Sequence, residues 1–200
     1  MRKLIPAGLL ALAAVPVFAG SARLAEFAGG APILPDSERI TSAPVPVILH
    51  IVSVTVFSVL GAFQFVPGLR RRRWHRLAGR ILVPAGLLAA LSGLWLTLFL
   101  PRTELDSSPL VAIRVAVALW MVASLLLGLS AARRRAFGRH RAWMIRGYAI
   151  AMGAGTQAFT QGAWLAVAGP LTTWGKTGTL LAGWLINLAV AEWLIRRPRT

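Results

Sequence analysis

Cysteine is absent from this 200-residue chain. Disulfides, cysteine-ligated zinc and cysteine-ligated iron–sulfur clusters are therefore excluded, and no cysteine evidence bears on redox compartment. Acids are scarce as well, 6 against 22 lysines and arginines. No acidic pair falls in an apolar run, and only Glu192 sits in one, near its edge. A proton- or sodium-coupled transporter would lack its usual coupling carboxylate. There is no glycine-rich phosphate loop and no His-Glu-x-x-His. No residue set reads as catalytic, so a non-catalytic role is expected. Charge of either sign is low at 14 % of residues, whereas a soluble domain usually carries about 25 %. Water is the wrong solvent for such a chain.

What is present is long apolar sequence, 56 % of residues being hydrophobic. Each helical crossing of a bilayer about 30 Å thick needs roughly 20 apolar residues. Six such stretches lie between charged or Pro/Gly punctuation, at 4–20, 44–66, 78–100, 110–132, 147–168 and 178–195. The expected architecture is an all-α polytopic transmembrane helix bundle of six spans. Its divisions are residues 1–43, a first transmembrane helix and external loop; 44–168, a four-helix core of two hairpins; and 169–200, an external turn, a last span and a basic tail. The first span also resembles a secretory signal, with Arg2-Lys3, an apolar run and Val17-Phe18-Ala19. Cleavage after Ala19 would leave five spans.

The net charge of +16 would suggest nucleic acid in a soluble protein, but the arginines cluster in alternate connectors, and no nucleic-acid partner is expected. Basic residues are retained on the cytoplasmic side. Arg2 and Lys3, the connectors around 70–80 and 133–146, and the tail at 196–199 hold most of them, while Glu26, Asp36, Glu38, Glu104 and Asp106 lie on the other side. Both termini are thus expected in the cytoplasm, with tryptophans 74, 143 and 193 near the inner boundary and 95, 164 and 174 near the outer one. The expected location is a bacterial inner membrane, with the bilayer and its anionic headgroups as partners.

Polar side chains at membrane depth are the candidates for function, because they cost energy unless they meet a partner or water. His50 lies about 9 Å below the outer start of the second span at 1.5 Å per residue. Arg114 and Gln161 fall at similar depth in the fourth and fifth. Helical spacing places Thr156, Gln157, Thr160 and Gln161 on one stripe, and span three offers a small-residue face with Gly86, Ala89, Ala90 and Gly93. His50, Arg114, Gln157 and Gln161 could hold the polar head of a hydrophobic ligand such as a quinone. They could equally line a small permease for an anionic or neutral solute, or only lock helices together. At the inner face, His75-Arg76 and His140-Arg141 could supply a b-type haem with axial imidazoles and propionate partners, or bind anionic lipid. No metal site is indicated firmly.

Three segments, LHIVSVTVFSVLGAFQF, RRRWHRLAGRI and RHRAWMIRGYAI, carry His50 with Gly61, Phe63, Gln64 and Phe65; His75 with Arg76, Gly79 and Arg80; and His140 with Arg141, Trp143, Met144 and Arg146. In this order they resemble the bacterial predicted-membrane-protein family called domain of unknown function 2306. The resemblance covers about residues 45–165 and implies an architecture rather than an activity. Ile81 and Leu82 stand where that family often carries a tyrosine.

Overall fold

The computed structural model describes residues 4–70 and 73–197. Arg2, Lys3, Arg71, Arg72 and Arg199, which contribute to the charge asymmetry, lie outside the described residues. Among these residues there are helices and no strand: α1 Leu4–Phe27, α2 Ser37–Thr41, α3 Pro44–Phe63, α4 Pro67–Arg70, α5 Arg73–Phe99, α6 Ser108–Arg133, α7 Phe137–Ala151, α8 Gly153–Ala168 and α9 Thr173–Arg196. Five of them, α1, α3, α5, α6 and α9, are long and apolar enough to cross a membrane.

The helix ends follow local chemistry. Pro44 and Pro46 open α3, where a missing N–H is tolerated. Ser107 caps α6 by accepting from Leu110 N, and Thr172 caps α9 by accepting from Gly175 N. The α6–α7 turn closes with Ala136 N donating to Ala131 O and Arg135 N to Ala132 O. Arg135 there has a φ of 58°, a left-handed C′ position that glycine usually fills. α1 runs unbroken through Ala19, with Pro16 inside it.

The expected fifth span, 147–168, is not one helix. The helix that starts at Phe137 stops at Ala151 and resumes at Gly153, so neither piece alone reaches the length of the other five. The i→i+4 ladder lapses around Met152, although Met152 N still reaches Tyr148 O and Thr156 N reaches Met152 O. No proline causes the break. Asn187 on α9 donates its amide to Ala149 O at 3.2 Å, taking the carbonyl that the ladder has dropped. Its Oδ1 accepts from Thr156 Oγ1 at 2.8 Å. In hydrocarbon a freed backbone group must be re-satisfied by a neighbouring helix, and this one is.

The chain packs as two units, Met1–Pro101 and Arg102–Thr200. In the first, α3 lies between α1 and α5; in the second, α7 packs on α6, and α7 and α8 pack on α9. α3 pairs with α5 in the first unit and α6 with α7 in the second. Small residues set the close crossings, as in membrane helices that lack a hydrophobic drive to associate. A Cβ on Gly20 of α1 would stand 2.8 Å from Ile51 Cγ2 of α3, and one on Gly183 of α9 would stand 2.6 Å from Gln157 Cγ of α8. Ala85, Gly86, Ala89 and Ala90 of the small-residue face on α5 are buried.

Candidate functional site: polar groups of the two helical units

In the first unit, His50 on α3 faces α5. Its Nδ1 lies 3.0 Å from Ala89 O and 3.1 Å from Ser92 Oγ. A carbonyl oxygen can only accept, so Nδ1 carries the hydrogen. Ser92 spends its own hydroxyl hydrogen on Leu88 O at 2.5 Å, which leaves its oxygen to accept from the ring. In a neutral imidazole Nε2 is then a lone-pair acceptor, and it has no hydrogen-bond partner among the described residues. A Cβ on Gly93 would stand 3.0 Å from His50 Cε1, so the glycine makes room for the ring.

In the second unit, Arg114 is engaged. Its Nη1 meets Asp106 Oδ1 at 3.2 Å, and Lys176 Nζ meets the same oxygen at 3.0 Å. Burial by itself would raise the Asp106 carboxyl. The Lys176 hydrogen bond, the Thr103 N–H and the charges of Arg114 and Lys176 outweigh that and hold it at about 2. Ser107 Oγ and Thr177 Oγ1, 2.8 Å apart, tie the same ends of α6 and α9. Two cations on one carboxylate leave a net positive cluster at this end of the unit.

Gln157 is 8 % exposed and donates to Leu180 O at 3.0 Å. Thr160 donates to Thr179 O at 2.8 Å. Most of the polar stripe on α8 is therefore spent on α9. Gln161, one turn beyond Gln157, makes no hydrogen bond among the described residues. His50 belongs to one unit, and Arg114, Gln157 and Gln161 to the other.

The two His-Arg pairs divide the same way: His75 and Arg76 lie in the first turn of α5 in the first unit, His140 and Arg141 in α7 in the second. His140 Nδ1 is 2.9 Å from Gly128 O, which by the same reasoning makes it the donor. Arg141 donates to Leu194 O at 3.0 Å. Arg146 grips Glu192 with two contacts, Nε to Oε1 at 2.6 Å and Nη2 to Oε2 at 3.1 Å, while Arg196 stands 3.7 Å from that carboxylate. Among the described residues no group of three or more metal-ligating side chains comes together.

Sequence reasoning passed over three residues. Asn187 is the chain's one asparagine, and its position within an apolar run was the available signal. Lys176 joins Asp106 across 70 residues with no local spacing to announce it. Arg23, 8 % exposed, donates to Glu26, Ser37 and Pro35 O, folding the connector after α1 back on its end.

Several long apolar helices, joined by short connectors and crossing on glycine and alanine, define a multi-pass helical membrane protein. The family model described as "Predicted membrane protein (DUF2306)" matches residues 47–195, and the chain belongs to that family. No curated protein and no solved structure matches it.

Proposed function

We propose that this is a six-span protein of the bacterial inner membrane with both termini in the cytoplasm, α7 and α8 together making the fifth span. It holds a hydrophobic ligand with a polar head, of the quinone kind or a haem, in a redox-associated role. His50, in the first unit, is the contact for the polar head. The observation that carries the reading is the orientation of His50. Ala89 O pins Nδ1, and an imidazole fixed by a carbonyl presents Nε2 as ligand or hydrogen-bond acceptor. If the ligand is haem, His140 of the second unit, held by Gly128 O, is the corresponding axial group, with Arg141 next to it in sequence.

The test has two arms. A reduced-minus-oxidised absorbance difference spectrum of the purified protein should show a Soret band if haem is bound, lost on His140→Ala. Without a band, short-chain quinols should raise the thermal midpoint of wild type more than the oxidised quinones do, and should not raise that of His50→Leu. No band and no shift would sink the ligand reading.

A second reading, a structural or lipid-organising protein, is favoured by the partners of Gln157, Thr160 and Arg114, each of which locks elements of the second unit. In that reading the inner-face basic residues bind anionic headgroups, each contributing about 1 kcal/mol. Stabilisation by anionic over zwitterionic lipid, with no response to quinones or haem, would select it.

A further inference from the structure

The arginines at the inner end of the second unit are not equivalent. Arg141 is tied to a backbone carbonyl of α9, and Arg146 forms a two-point pair with Glu192. Glu192 is thereby neutralised. Arg196, whose side chain is 79 % exposed, reaches that carboxylate only at 3.7 Å. Arg197 stacks its guanidinium over the Trp193 ring, 3.5 Å from the centroid. Stacking occupies the face of the guanidinium and leaves its in-plane N–H donors to point outward. These donors form the fork that suits a phosphate.

Ala189, Glu192, Trp193, Arg196 and Arg197 line one groove of about 480 Å³. Their spacing, i, i+3, i+4, i+7 and i+8, puts them on one face of α9. Toward the middle of the helix that face continues into Ile186 and Val190, which are 47 % and 51 % exposed. A surplus of two positive charges, an indole at the boundary and an apolar strip leading away from them match a diacyl phospholipid: phosphodiester on the arginines, glycerol beside Trp193, acyl chains along the strip. A soluble phosphate would use only the first of these.

We infer that the inner end of α9 is a binding site for one anionic phospholipid, with Arg196 and Arg197 holding the phosphodiester and Trp193 positioning the glycerol. This deepens the lipid part of the reading above and rests on it. It moves the site from the His-Arg pairs of the connectors to the end of α9.

The full-length protein in a neutral detergent would be titrated with phosphatidylglycerol, phosphatidylcholine and inorganic phosphate, reading the thermal midpoint and the lipid retained after purification. Three proteins are compared: wild type, Arg196→Gln/Arg197→Gln, and Arg133→Gln/Arg134→Gln as a control of equal charge change at the C-terminal end of α6. Their midpoints without added lipid check folding. At about 1 kcal/mol for each basic residue, the α9 variant should bind phosphatidylglycerol about 30-fold more weakly than wild type, with a clearly smaller loss in the control. An equal loss in both variants would overturn the α9 site and leave general anionic-lipid binding standing. No preference for phosphatidylglycerol in wild type would overturn both. Full competition by inorganic phosphate would overturn the lipid in favour of a soluble anion.

Discussion

Asn187 repairs a gap in a helix, and its removal gives the sharpest test of the fold. Asn187→Leu keeps the volume and removes two hydrogen bonds, the 3.2 Å bond to Ala149 O and the 2.8 Å bond from Thr156 Oγ1. Interhelical hydrogen bonds in membranes average about 0.6 kcal/mol and reach about 1.7. The two losses are unequal. Thr156 can turn its hydroxyl back to a carbonyl in the preceding turn of its own helix. Ala149 O has no such recourse unless the ladder re-forms through Met152, which would require α8 to shift on α9 against the Gly153–Trp184 contact. We therefore expect a loss near the upper end of the range for Ala149 and near the mean for Thr156, about 2 kcal/mol together. Reversible unfolding in mixed micelles measures it. Thr156→Val alone should cost about 0.6 kcal/mol, and the double variant should show coupling between the two sites, because they share one bond. If Asn187→Leu is as stable as wild type, or the two changes simply add, the amide does not bridge the break and the reasoning fails.

Three further outcomes follow from the same geometry. The Asp106 carboxyl is held at about 2 against an ordinary 3.8, so its contribution is fully present above about pH 4 and is lost as pH falls through 2; linkage gives about 2 kcal/mol, reduced to about 1 by solvent screening of the ion pairs, and acid titration of Asp106→Asn should lack that component. Gly183→Ala would put a methyl 2.6 Å from Gln157 Cγ and 3.1 Å from its backbone N, and chemical denaturation should register a loss of about 1–3 kcal/mol. Arg135→Gly should raise stability by about 1 kcal/mol by relieving the left-handed strain of a side chain at φ 58°; a lower midpoint in the same assay would place the strain elsewhere.

The positions of the five helices long and apolar enough to cross a membrane were legible, because hydropathy counts apolar residues and a bilayer needs a set number of them. The break at Met152 was not, because hydropathy does not count hydrogen bonds. Nothing in 147–168 forbids a continuous helix; the interruption is stabilised from α9, 35 residues away from Met152 in sequence, by a side chain that only a tertiary contact brings near. The stripe of Thr156, Gln157 and Thr160 was legible as a face but not as to what it faced. The i,i+4 spacing of Glu192 and Arg196 made their ion pair legible, and it is present at 3.7 Å; Arg146, which approaches from α7 and uses both carboxylate oxygens, was not legible. Arg114 with Asp106 was legible from proximity in sequence, but Lys176 as a second cation was not.

The division between spent and unspent polar groups narrows the search for function. A buried donor or acceptor that already has a partner contributes to a ligand only by breaking that bond, which costs what the bond was worth plus the exposure of the group left behind. Gln157, Arg114, Asn187 and Thr160 all stand in that position. His50 does not. Its donor is committed and its acceptor is not, so it can take a ligand without giving anything up, and the ligand it suits is one that donates a hydrogen bond or offers a vacant coordination position. A reduced quinol hydroxyl meets the first condition, a haem iron the second, and an oxidised quinone carbonyl meets neither while the ring is neutral. The oxidation-state preference of any quinone response is therefore a readout of the His50 tautomer: stabilisation by quinol above quinone in wild type, lost in His50→Leu, is the result this geometry requires, and the reverse order would mean that Nε2 carries a proton or that the ligand binds elsewhere.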